Sequence, residues 1–459
     1  MTQIVTVNVS QTVAPVPSTL QKTGALLSQG ATTTAPGTQT LLRQPSDLTP
    51  ILKGALSIAS LTQTAGVATA TTAAPHGFTV SDTLPLTIAG ASPAGYNGTF
   101  TCTVTGANTF TYAVSNSLVT PATGTIVYTP EDVAELSAMV TTFFAQGSQQ
   151  AVYVLELGAG NAADGVTYLT TWIAANPGVF YGYLVPRYWA SEPTFLTLLG
   201  SFETTTSKTY FWIAATTGNY TNFTNAMKSA FVMVETPGIP ATEFDSASAF
   251  QAALNYAPST INRVTPFQYN YLYGVTPYPT PGNSTLLSNL LTANTNYVGS
   301  GAEGGISTSI LRNGTTRDGQ PFDYWYSVDW VQINVDLDIA NAVINGSNNP
   351  ANPLYYNQDG INRLQDVAAA TMAQGISFGM VLGSVVRTNL DQTTFINNFN
   401  NGLYDGLAVV NAVPFITYSK ANPGDYAIGR YAGFTIIYTP ARGFTSIVFN
   451  VNVTNFVAQ

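Results

Sequence analysis

From about residue 130 the sequence alternates two kinds of segment, and few architectures accommodate that alternation. PEDVAELSAMVTTFFAQ opens with acids after a proline and then repeats apolar positions at helical spacing. AVYVLEL (151–157) follows as an unbroken apolar run of the kind buried on both faces. TYLTTWIAAN, EPTFLTLLGSFET, TNFTNAMKSA and SASAFQAALN read as helices, with VFYGYLVP, KTYFWIAAT and FVMVE as strands between them. Strands and helices in turn over residues 130–256 predict an α/β layer around a largely parallel sheet.

The flanking regions read differently. Residues 1–50 form an N-terminal arm and a lead-in rich in Pro, Thr, Gly and Gln, expected to lie extended on another surface, with a short helical stretch at Leu20–Leu27. Residues 60–129 carry short alternating runs: VATATTAA, LPLTIAG, GTFTCTVTG, TFTYAVS and GTIVYT. The turn residues of APHG, ASPAGYNG and GAN separate them, which predicts a small all-β module, a sandwich or half-barrel. Residues 257–322 look irregular, Pro- and Tyr-rich, with the glycine cluster GSGAEGG at 299–305. Within 323–443 two helices are expected, YWYSVDWVQINVDLDIANAVI and GINRLQDVAAATMAQG, the first with Trp330, Ile333, Leu337 and Ile344 on one face. ISFGMVLGSVV, FITYS and GFTIIYT then read as strands, and 444–459 as a C-terminal β-arm. The fold class expected is therefore multidomain α+β: an α/β core with a mixed sheet, an inserted sandwich-like all-β module and extended terminal β-arms.

Both ends of the chain carry a ready-made strand, IVTVNVS at 4–10 and IVFNVNVT at 447–454. Chain ends lose order unless something ties them down, so two such strands call for partners. They could pair within their own subunit or with a neighbour.

Composition narrows the function. Charged residues are only 8% of the 459, so Thr, Ser, Asn, Gln and Tyr must make the surface, as in secreted β-proteins or in subunits largely covered by neighbours. The net charge of −9 without a basic run argues against nucleic-acid binding. One cysteine, Cys102, allows no internal disulfide, and MTQIVTVNVS lacks the charge and apolar run of a signal peptide. The single histidine, His76 in APHGF, sits in turn-like sequence and reads as structural, and one Cys with one His excludes a Cys/His metal site. Acids gather at Asp318, Asp323, Asp329, Asp336 and Asp338, and a paired-carboxylate glycosidase would need only two of them. Helix N-terminal regions attract acids in any case, and GAEGG lacks the phosphate-loop pattern. No catalytic residue, cofactor or metal is expected.

DGQPFDYWYSVDWVQINVDLDIANAVI, followed by NQDGINRLQDVAAATMAQGISFGMV, resembles the C-terminal half of bacteriophage contractile-tail sheath proteins, in particular their divergent branch. Asp318-Gly319, the aromatic stretch to Trp330, the helix opening at Asp359-Gly360 and Gly375 before a strand carry the likeness. The α/β series before them is similar to a sheath core, and the APHGF…GASPAGYNGTFT…NTFTYAV segment looks like a small β-module found in phage virion proteins. The resemblance implies a virion tail subunit, made in the bacterial cytoplasm, that forms stacked hexameric rings around a tail tube, meets baseplate and tail terminator proteins, and touches neither nucleic acid nor membrane. It implies that Ile4, Val5, Val7, Val9, Ile447, Phe449, Val451 and Val453 set the register of arm strands added to neighbouring subunits. The inserted module is expected to face outward, away from the tube. The rival expectation is a secreted or surface carbohydrate-binding adhesin, resting on the low charge, the β-module and the tyrosines at 269–278.

Overall fold

The structure, a computed structural model, describes residues 19–147, 150–204, 206–238, 242–279, 283–300 and 309–443. Its first strand, β1 (Gly24–Ser28), is buried along its whole length and lies inside the main sheet, third from one edge. This corrects two expectations: Leu20–Leu27 is not helical beyond one 3-10 turn at Leu20–Lys22, and this part of residues 1–50 does not lie extended on another surface. Alanine and leucine favour helix locally, but parallel pairing on both sides of Gly24–Ser28 overrides that preference.

After β2 (Gln39–Leu42) the chain leaves the core and builds β3 (Leu56–Thr64), β4 (Val67–Thr72), β5 (Thr83–Ala89), β6 (Gly98–Gly106), β7 (Thr109–Ala113) and β8 (Val127–Pro130). These close into a barrel in the order β3-β4-β7-β6-β5-β8. The sequence predicts a sandwich or half-barrel; the structure closes it, because β3, missed among its polar residues, pairs with β8 and leaves no edge. Leu61, Leu86, Tyr96, Cys102, Phe110 and Tyr128 fill the interior.

The chain returns through α1 (Glu131–Ala145), β9 (Val152–Glu156), α2 (Ala162–Ala175), β10 (Gly182–Leu184), α3 (Pro193–Gly200), β11 (Tyr210–Ala215), β12 (Ala230–Val234) and α4 (Asp245–Leu254). TNFTNAMKSA is not a helix: only Tyr220–Asn222 turns, and Asn222 and Asn225 donate instead to the carbonyls of Ala190 and Thr292. The stretch 257–322 is less irregular than expected, since it holds α5 (Ser284–Thr292), β13 (Asn296–Ser300) and β14 (Ser309–Arg312). The eight-stranded sheet runs β14-β13-β12-β11-β10-β1-β9-β2, parallel except at its two edge strands. Its strands alternate between two cores. Tyr210, Trp212 and Ala214 face one with Leu26, Phe231 and Met233, against α1 and α4; Phe211, Ile213 and Ala215 face the other, against α2 and α3.

Two long helices follow, α6 (Phe322–Ser347) and α7 (Gln358–Ser377). Trp330 and Ile333 are buried and Leu337 is partly so, but Ile344 is exposed, so the expected apolar face stops short of the helix end. A second sheet, β15-β16-β17, is built from β15 (Val385–Thr388), β16 (Ala408–Ala412) and β17 (Phe434–Ile437), with α8 (Gln392–Asn400) between the first two. Of ISFGMVLGSVV only the end is strand, and FITYS belongs to α9 (Phe415–Ala421), which starts after Pro414, before the short α10 (Pro423–Ala427). The protein has the mixed α+β, multidomain content expected.

Candidate assembly surface

Parallel α/β sheets bind ligands in the crevice beyond the carboxyl ends of the strands where strand order reverses. Here that reversal falls at β1, with β9 on one side and β10, β11 and β12 on the other. The crevice is filled by the chain's own side chains. Gln29, just past β1, accepts from the Tyr188 hydroxyl (2.6 Å) and the Trp189 indole (2.9 Å), and its amide donates to the Asn161 carbonyl. Glu156 at the end of β9, fully buried, accepts from Ser28 Oγ, Gly30 N, Thr32 N, Thr32 Oγ1 and Gly158 N. Gly30 sits at φ +81° against the Ala159 backbone, a conformation and closeness that favour glycine.

The acids at 318–338 are separated by their partners. Asp318 accepts from Thr316 Oγ1, Gln320 N and the Trp325 indole. Asp323 accepts from Phe267 N, and burial pushes its carboxyl above the usual range. Asp329 is wholly buried beneath the Tyr181 and Tyr210 hydroxyls at 2.9 and 2.8 Å, out of reach of a polysaccharide. Burial also raises Asp336, and Asp338 accepts from Thr371. His76 is buried in the barrel, stacked on Phe78 at 5.0 Å, with Nδ1 accepting from Phe78 N. Among the described residues no cluster of His, Cys, Asp and Glu is placed to hold a metal, and no helix is long and apolar enough to cross a membrane.

What the described residues do present is a small three-stranded sheet. α7 covers one face of β15-β16-β17 and α8 the other: Ala408, Val410 and Ile436 join the main core, while Val409 and Ile437 pack with Phe395 and Tyr404. Two buried amides lock the interior. Gln365 donates to the carbonyls of Thr388 and Val410, and Asn411 accepts from Thr388 Oγ1 and Leu390 N while donating to the Leu390 carbonyl. Among the described residues no strand pairs with the outer edge of β15 or of β17. Each such edge offers unpaired N–H and C=O groups to an incoming strand. By contrast β14 is covered, because Tyr269 N donates to Leu311 O and Leu311 N to Asn270 O.

Beside this sheet Ile396 and Phe399 of α8, and Leu403 just beyond it, expose about half of their surface or more (45%, 48% and 63%). The sequence reading passed over this stripe, although FINNFNNGL spaces the three apolar residues at helical intervals. The predicted arm residues Ile4, Val5, Val7, Val9, Ile447, Phe449, Val451 and Val453 lie outside the described residues, as does 301–305 of the glycine cluster.

No protein-family model matches the sequence. No curated protein matches it either. Solved structures do. A chain of the cryo-EM structure of the anti-feeding prophage baseplate aligns over 99% of this chain and 100% of its own, with a TM-score of 0.52 at 12% identity. The anti-feeding prophage helical sheath in its contracted state aligns over 99% of both chains (TM-score 0.49, 11% identity). A sheath tail protein from Listeria innocua aligns over 93% of this chain and 97% of its own (TM-score 0.41, 8% identity). The first likeness extends across the core, the inserted barrel and the second sheet together. The chain has a multidomain α+β fold similar to that of the anti-feeding prophage baseplate chain.

Proposed function

We propose that this protein is the structural subunit of a contractile tail sheath, stacked as hexameric rings around a tail tube and contracting to drive that tube through a cell envelope. The observation that carries the reading is the end-to-end fold likeness to a chain of the anti-feeding prophage baseplate, in a molecule whose sheet crevice is filled by Gln29 and Glu156. The open edges of β15 and β17 support it, because the terminal segments 4–10 and 447–454 have the alternation such edges accept.

In this reading the arms of one subunit extend the second sheet of its neighbours, with Ile4, Val5, Val7 and Val9, and Ile447, Phe449, Val451 and Val453, choosing register and face. Assembly on the tube traps an extended array held by tube and baseplate. A trigger at one end lets subunits rotate and bury more interface, while the paired arms act as hinged tethers from ring to ring. The energy lies in the difference between two packings, so no nucleotide is needed. The barrel faces outward, since an inward domain would meet the tube. The partners are further copies of the chain, the tube, the baseplate and the terminator, within a tail assembled in the bacterial cytoplasm.

Deletion of residues 2–10 tests the arm. The expected result is a subunit with unchanged thermal unfolding that no longer forms long assemblies. Full-length, contractile assemblies from the deletion variant would refute the arm's role.

A further inference from the structure

The junction of α6 with the main sheet holds a group that the structural role does not use. Lys228, just before β12, and Asp329 of α6 face each other with Nζ 3.7 Å from Oδ1, their side chains 6% and 0% exposed. The environment of the pair is asymmetric. Asp329 Oδ2 takes both tyrosine hydroxyls, Tyr181 and Tyr210, whereas Oδ1 accepts no hydrogen bond. Lys228 Nζ donates to the Ser207 carbonyl at 2.6 Å and lies over the Trp325 ring at 4.3 Å. Lys208 senses both Asp329 and Lys228 electrostatically, and burial holds its amine below the usual lysine range.

An ion pair in such a place carries the desolvation penalty of two charges. Condensation to an amide removes both. We propose that Lys228 and Asp329 form an intramolecular isopeptide bond. One proton first passes from Nζ to the facing Oδ1, which frees the nitrogen lone pair; Nζ then attacks Cγ while the two tyrosine hydroxyls hold Oδ2, the position where negative charge develops. The bond formed is Nζ–Cγ and the bond broken is Cγ–Oδ1. The ammonium gives up two protons, which leave on Oδ1 as one water, so no oxidant or other co-reactant enters. The product fastens α6 to the start of β12 across a hundred residues of intervening sequence, closing a loop that mechanical load or denaturant cannot open.

The inference is independent of the tail reading and is tested on the full-length purified chain. Intact-mass spectrometry is expected to find the sequence mass less one water. Proteolysis should release a branched peptide joining the segments around Lys228 and Asp329. Lys228→Arg keeps the charge but cannot form this bond, so it should restore the full mass. That readout does not depend on the variant folding well. Wild-type chain at its full sequence mass, or a water loss that persists in Lys228→Arg, would overturn the proposal.

Discussion

Asp245 opens α4 with a wholly buried carboxyl that no cation pairs closely, the Thr236 backbone being the neighbouring polar group that favours its charged form. Glu235 accepts from the Asp245 backbone N–H at 3.0 Å and from Arg187 Nε at 2.5 Å, so the one guanidinium in this cluster is committed to a different acid. Burial first, then the charges of Glu235 and Glu243, lift the Asp245 carboxyl well above its ordinary range, against the pull of Arg187. A raised folded-state value means the native chain holds a proton that the unfolded chain has released. The stability linked to that proton is complete below the ordinary carboxylate range and is lost as pH rises through the raised value. Asp245→Asn should therefore flatten that decline, with urea midpoints for wild type and variant diverging steadily as pH rises above the ordinary carboxylate range. A difference independent of pH would contradict this. Gly182 makes a purely steric case. A Cβ there would lie 2.6 Å from the Trp212 ring and 2.7 Å from that of Phe250, so Gly182→Ala should lower stability by about 1–3 kcal/mol in urea unfolding. An unchanged midpoint would show that the two rings yield freely.

At the scale of elements, the barrel enters and leaves the core at neighbouring points. Leu56 of β3 pairs with Tyr128 of β8, which places the module's two ends about 5 Å apart. Its interior is a core separate from those flanking the main sheet. Replacing residues 56–129 with a short Gly-Ser linker should leave the remainder folded, with cooperative melting and unchanged tryptophan fluorescence, since no tryptophan lies in the excised segment. Loss of cooperative melting would mean that the barrel props up the core. What could be read from sequence follows the same physics. Tyr210–Ala215 and Ala230–Val234 were legible because strands buried on both faces are continuously apolar, and α6 and α7 because helices of that length repeat their pattern several times. Gly24–Ser28 was not legible, since its strand state comes from β9 and β10, far away in sequence. Nor was barrel closure, which hinges on two residue pairs between β3 and β8. The filling of the ligand crevice by Gln29 and Glu156 was equally hidden, because hydrogen bonds spanning more than a hundred residues leave no local pattern.

The whole molecule joins features that make sense together in an assembly. A core with its crevice closed, a barrel on adjacent ends and a small sheet whose outer edges no described strand pairs suit a subunit that is completed by its neighbours. The low share of charged residues fits surfaces that spend their time covered. An open sheet edge in a lone soluble protein would instead be a liability. The most direct test is electron microscopy of the purified full-length chain across a concentration series, alongside size-exclusion chromatography. The expected images show rings, or cylinders of stacked rings, that disappear when residues 2–10 are removed. A chain that stays monomeric at every concentration, with neither rings nor cylinders in the images, would contradict it.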